Sequence, residues 1–197
     1  MLAIVDSGGA NIASVRFALE RLGVAGELTV DPAVIRSAER VILPGVGSAP
    51  EGMKRLRARG LVDCVRGLKQ PVLGICLGMQ LLFEASEEGN TPSLGLIPGR
   101  VALLPESPGV TVPHMGWNTL DVRRASPLLK GVDATTRFYF VHSFAGPVNE
   151  FTLAGCTHGA IFAAVVRRGN FWGVQFHPER SGAAGARLLR NFLEMPA

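Results

Sequence analysis

The chain has 197 residues, 47% apolar and 18% charged, with a formal net charge of +4 and no low-complexity tract or repeat. That length suits one well-buried core, so a single domain spanning 1–197 is expected, and the composition excludes disordered and solenoid classes. The basic residues are scattered and not interleaved with aromatics, which argues against nucleic acid as a partner.

The first residues lack the basic stretch and cleavage site of a secretory leader, and the longest apolar run falls short of a membrane span. No membrane association is expected, and the location is read as cytoplasmic. Cys64, Cys76 and Cys156 form no C-x-x-C pair, so neither a disulfide framework nor a standard metal site is indicated.

In chain order, the apolar run 2–5 reads as a strand, followed by a Gly-rich loop and an amphipathic helix over 11–22. The unit recurs with a strand at 40–43, the loop Pro44-Gly45-Val46-Gly47 and a helical pattern over 50–67. It recurs again with a strand at 72–75, then Cys76 and a helix to about residue 85. Strands alternating with helices predict a mainly parallel central sheet flanked by helices. The second half is β-rich near 100–104, 120–123, 137–144, 151–157 and 161–167, with Gly169-Asn170 as a hairpin turn into 171–176. A last helix covers 182–193. The fold class is therefore α/β with an added antiparallel portion. In such sheets, sites lie beyond the carboxyl ends of the strands, where the 44–47 loop, Cys76 and His177 all fall.

Gly74-Ile75-Cys76-Leu77-Gly78 has the form of a strand-to-helix elbow carrying a nucleophile. Glycines on both sides permit a sharp turn and close approach to the sulfur, and a helix start favours the thiolate. Most cysteines are small core residues, so the elbow needs a base beside it. Among the four histidines, His177 alone follows an apolar strand with a carboxylate two residues on, Glu179. An extended H-x-E puts both side chains on one side, and Pro178 favours the extended form for His177. Nucleophile, base and orienter are then Cys76, His177 and Glu179. The rival pair Cys156-x-His158 lacks elbow glycines and a nearby acid and is read as structural, Cys64 as core, and His142 as hydrogen-bonded within a strand.

These motifs, with "LPGVGSAPEGM", "VPHMGWN" and "YFVHSF", resemble the class I (triad) glutamine amidotransferases, and within them the glutaminase subunits of imidazole glycerol phosphate synthase. The resemblance runs over essentially the whole chain. It implies a flavodoxin-like fold and hydrolysis of L-glutamine through a cysteinyl thioester. It also implies, without cofactor or metal, transfer of ammonia to a (βα)8-barrel cyclase partner in a heterodimer of histidine biosynthesis. The oxyanion is assigned to backbone N–H groups of Leu77 and of the Val46-Gly47 loop. Gln80, Glu88, Ser143 and Phe144 are assigned to glutamine, and Asn11, Trp117, Tyr139 and Arg180 to the partner face. Three positions depart from the family pattern: Ser7-Gly8-Gly9-Ala10-Asn11 replaces Tyr-Gly-x-Gly-Asn, Arg180 replaces a lysine and Phe144 a tyrosine. Another cysteine hydrolase of similar sheet, or a non-catalytic subunit, is the alternative, with Gln80 and the intact triad against both.

Overall fold

The computed structural model describes residues 1–6, 8, 12–106 and 108–196. Its strands are β1 (Leu2–Val5), β2 (Gly26–Thr29), β3 (Arg40–Gly45), β4 (Val72–Cys76), β5 (Phe83–Ser86), β6 (Thr91–Pro92) and β7 (Ile97–Leu103). They continue as β8 (His114–Thr119), β9 (Asp121–Val122), β10 (Arg137–His142), β11 (Phe144–Ala145), β12 (Thr152–His158), β13 (Ala160–Arg168) and β14 (Phe171–Val174). The helices are α1 (Ile12–Glu20), α2 (Pro32–Ser37), α3 (Ala49–Ala58), α4 (Leu61–Arg66), α5 (Leu77–Gln80) and α6 (Gly182–Glu194).

The main sheet runs β2-β1-β3-β4-β14-β13-β12-β9. From β2 to β14 every pairing is parallel, and β13, β12 and β9 add an antiparallel edge. β1 and β4 are buried along their whole length, as a strand covered on both faces must be. One face packs against α1 and α6 through Val15, Leu19, Leu188 and Phe192. The other packs against α2 to α5 through Ile35, Met53, Leu56, Val65 and Met79. The β10–β8 pair and the sheet β11-β7-β5-β6 lie outside the main sheet. Among the described residues, no helix is long and apolar enough to cross a membrane.

The expected α/β class with an antiparallel addition is what the structure has, but several elements differ. The helix over 50–67 is two helices, broken where Gly60 adopts φ 64°. The helix after Cys76 lasts one turn, and the apolar residues that follow enter strand β5 instead. The strands β2 and β8 and the six-residue α2 were not anticipated. β2 is a half-exposed edge strand, so its sequence carries little apolar signal.

Candidate functional site

The site begins at the end of β4, between β3 and β14 in the middle of the sheet. Cys76 closes the strand at φ 52° and ψ −111°, a conformation that costs a residue with a Cβ about 1–3 kcal/mol. The surrounding backbone holds it there. A Cβ on Gly78 would lie 1.8 Å from the Leu43 carbonyl oxygen, and one on Gly74 would lie 2.7 Å from that of Gly78. The two glycines thus let the first turn of α5 press onto β3 and β4, which places the sulfur at the helix start. α5 is only four residues long, so no long helix dipole stands behind the sulfur.

After β14 the chain passes through Gln175 and Phe176 to His177, which is extended at φ −102° and ψ 94°, as Pro178 requires. The extension ends there: residues 178–180 form a 3₁₀ turn, so Glu179 reaches the imidazole from a turn and not along a strand. Glu179 Oε1 accepts a hydrogen bond from His177 Nδ1 at 2.7 Å, and both side chains are nearly inaccessible, at 3% and 0% exposure. Burial alone would lower the His177 pKa. Hydrogen bonding and charge interaction with Cys76 and Glu179 outweigh it and push the value up to about 10. The sulfur and the carboxylate thus favour the protonated imidazole between them.

The turn itself is anchored. A Cβ on Gly185 would stand 1.8 Å from the Pro178 carbonyl oxygen, so α6 sits directly on it. The His177 N–H donates to the Tyr139 carbonyl at 2.9 Å, and Ser181 Oγ donates to the His177 carbonyl at 2.7 Å. Ser181 Oγ also accepts from the Tyr139 N–H at 2.9 Å.

Cys76 and His177 open onto a cavity of about 300 Å³ that Val46, Gly47, Leu77, Gln80, Glu88, His142, Ser143 and Phe144 also line. All the positions assigned to the oxyanion and to glutamine thus border one space. Gly47 holds φ 97°, open to glycine and strained for other residues. Gln80 Nε2 donates to the Phe144 carbonyl at 2.7 Å, which turns the amide oxygen away from that carbonyl. Glu88 is partly committed elsewhere, since its Oε2 accepts from the Ala49 N–H at 2.6 Å and caps α3, where Ser48 makes no side-chain cap.

The family profile described as "Glutamine amidotransferase class-I" matches residues 3–195. The chain belongs to the class-I glutamine amidotransferase family. Among its relatives is the imidazole glycerol phosphate synthase subunit HisH of Xanthomonas axonopodis pv. citri, 57% identical over 194 residues, 98% of this chain and 97% of the relative. The same-named subunit of Xylella fastidiosa is 57% identical over 196 residues, 100% and 98% of the two chains. Solved structures share the fold. A crystal structure of a glutamine amidotransferase has TM-score 0.75 at 23% identity, covering 98% of this chain and 97% of that one. The structure of PurLQS from Thermotoga maritima has TM-score 0.68 at 21% identity, covering 98% and 96%.

Three of the four positions assigned to a partner in this amidotransferase lie together. Trp117 is 53% exposed on β8, opposite Tyr139 on β10, with the two rings in edge contact at 6.0 Å. The Arg180 guanidinium lies 5.4 Å from the centre of the Tyr139 ring. Trp117 therefore sits on a strand and not in the loop that its neighbouring glycine suggests. Asn11 lies outside the described residues.

Two features escaped the sequence reading. Gln175 is fully buried, with Oε1 accepting from Gln80 Nε2 at 3.1 Å and Nε2 3.7 Å from the Cys76 sulfur. An amide inside the apolar run "FWGVQF" was the available signal. The second is a chain of imidazoles behind the pocket. His142 Nδ1 faces the Phe144 carbonyl at 2.9 Å, His142 Nε2 meets His114 Nδ1 at 3.0 Å, and His114 Nε2 meets Asn118 Nδ2 at 3.3 Å. A carbonyl only accepts, so His142 carries its proton on Nδ1 and His114 donates to its Nε2. Burial keeps both rings neutral, lowering His142 to about 3 and His114 to about 4. Cys156 and Cys64 are buried, and burial pushes Cys156 up to about 12 and raises Cys64. Among the described residues, no group of three or more His, Cys, Asp or Glu is arranged to hold a metal ion.

Proposed function

We propose that this chain hydrolyses L-glutamine to glutamate and ammonia, and passes the ammonia to a (βα)8-barrel cyclase that makes imidazole glycerol phosphate in L-histidine biosynthesis. The observation that carries the reading is the buried Cys76–His177–Glu179 constellation at a cavity bounded by Gln80, in a chain 57% identical to HisH subunits over nearly its full length. The protein acts as one domain, in the cytoplasm, in a heterodimer with the cyclase.

The Cys76 thiolate adds to the carboxamide carbon of glutamine. The oxyanion accepts N–H groups of Leu77 and of the Val46-Gly47 segment. His177, already protonated, gives its proton to the departing nitrogen as the C–N bond breaks, releasing ammonia and leaving a glutamyl thioester. His177 then takes a proton from water, the hydroxide adds to the thioester, and the C–S bond breaks to return thiolate and imidazolium. Glu179 holds the ring with Nε2 toward the sulfur. Gln80, Glu88, Ser143 and Phe144 hold the amino-acid end of glutamine. Trp117, Tyr139 and Arg180, with Asn11, face the cyclase, and no cofactor or metal takes part.

The test is glutamate release by the protein alone, with a candidate cyclase and its nucleotide substrate, and by Cys76→Ala in the same mixture. Release that needs the partner and vanishes in the variant is expected. Release unchanged in Cys76→Ala refutes the nucleophile, and release indifferent to the partner refutes the coupling.

A further inference from the structure

The hydrogen bonds around Gln80 fix the direction of every amide in the path to the nucleophile. The Phe144 carbonyl can only accept, so the group 2.7 Å from it is the Gln80 nitrogen. That nitrogen gives its second hydrogen to Gln175 Oε1 at 3.1 Å. Gln175 is thereby oriented with its own –NH₂ toward Cys76, 3.7 Å from the sulfur, a normal reach for a bond to a large, diffuse acceptor. All three side chains are buried, Gln175 fully, Gln80 at 5% and Cys76 at 7% exposure. Inverting the Gln175 amide would break both contacts. His142 donates to the same Phe144 carbonyl at 2.9 Å, so the anchor at the far end of the path is held from two sides.

We propose that Gln175 is a catalytic residue of this site, donating an N–H to the Cys76 sulfur while its amide oxygen orients Gln80 for the amino-acid end of glutamine. The inference rests on Cys76 being the nucleophile. A sulfur anion accepts from an amide N–H more strongly than a neutral thiol does, so the contact favours the thiolate over the thiol. It also favours the thiolate over the thioester, and so assists the step in which the C–S bond breaks and the sulfur regains its charge. The imidazolium of His177 is the second cationic or polar donor at the same atom. One buried amide thus serves nucleophile and substrate pocket together, and the two services are separable by mutation.

The experiment follows alkylation of Cys76 by iodoacetamide against pH, located by mass spectrometry so that the buried Cys64 and Cys156 do not contribute. Gln175→Glu keeps an acceptor toward Gln80 and exchanges the donor for an acceptor at the sulfur. Gln175→Met removes both. In Gln175→Glu the alkylation midpoint should rise by about one pH unit, making labelling below the midpoint about tenfold slower, with the KM for glutamine near the parent value. In Gln175→Met both the midpoint and KM should rise. Midpoints that coincide with the parent, in whichever variant folds with parent-like circular dichroism, overturn the proposal. Glutamate release by the parent with its cyclase is measured alongside and tests the nucleophile reading separately. An unchanged midpoint with normal parent turnover therefore removes Gln175 from the chemistry and leaves Cys76 in place.

Discussion

Replacing Gly78 by alanine tests whether the elbow is held by close approach of two backbone segments. The new Cβ would lie 1.8 Å from the Leu43 carbonyl oxygen, where ordinary contact begins at 3.4 Å. Relief requires α5 and β3 to separate by about 1.5 Å, and neither is a flexible side chain that can swing aside. Overpacking in a core costs about 1–3 kcal/mol, and a backbone-to-backbone collision belongs at or above the top of that range. For a chain of this size each kcal/mol lowers the melting temperature by about 2–4 °C, so Gly78→Ala should melt about 6–12 °C below the parent. The control is Gly23→Ala, at φ 78° with no other atom within 4 Å of its Cβ. There only the positive-φ cost of about 1–2 kcal/mol applies. Both variants are melted by circular dichroism in one buffer, and glutamate release is measured with the cyclase present. A fall in Gly78→Ala no larger than in Gly23→Ala would refute the steric account of the elbow. A large fall with full turnover would separate packing from chemistry.

Cys76 and, after it, Glu179 raise the His177 pKa; Glu179→Gln removes the second of them, so the value should drop below about 10 in an NMR titration, and glutamate release should fall by about 10⁴-fold as the ring loses its orienting partner. An unmoved titration would mean that Cys76 alone raises it. Because the folded value is raised, the stability contributed by the His177 charge is fully present below about 6.5 and is lost as pH climbs through about 10. The parent's melting temperature should therefore decline between those values more steeply than that of Glu179→Gln, and parallel slopes would refute the assignment. Ser181→Ala strands the Tyr139 N–H, whose partner at 2.9 Å is lost, and takes a 2.7 Å donor from the His177 carbonyl; it should cost about 1–3 kcal/mol and slow turnover. Normal melting and rate would mean that the turn holds His177 without it. Trp117→Ala should weaken cyclase binding at least tenfold by titration calorimetry while leaving the fold intact, and unchanged affinity would move the interface elsewhere.

The parallel half of the fold and the elbow around Cys76 were legible because their signals are local. An apolar run, a glycine-flanked cysteine and a His-Pro-Glu triplet each speak within five residues, although the triplet reads as extended where the structure has a 3₁₀ turn after His177. The elements that escaped are set by distant partners. The apolar residues after Gln80 suit a helix or a strand equally, and pairing of Phe83 to Ile97 decides for the strand. β8 holds Gly116 at φ 130° and reads as a loop until Arg137–His142 lies beside it. The break at Gly60 follows from a left-handed residue that an arginine-rich helical pattern conceals. Gln175 stood out only as an amide in an apolar run, and its meaning depends on Gln80 and Cys76, each more than ninety residues away.

The site joins two parts of the chain that have no sequence continuity, and this bears on how a partner could act on it. Cys76 and the Val46-Gly47 segment come from the parallel strands β4 and β3. His177 follows β14, but its backbone is clasped by β10. Tyr139 is the shared residue: its ring meets Trp117 and Arg180 at the surface, while its N–H and carbonyl hold Ser181 and His177 inside. A strand presents its side chains and its hydrogen-bonding edge in perpendicular directions, so one residue can meet Trp117 and Arg180 at the surface and brace His177 at once. Two hydrogen bonds of 2.9 Å tie the Tyr139 backbone directly to the turn that carries His177.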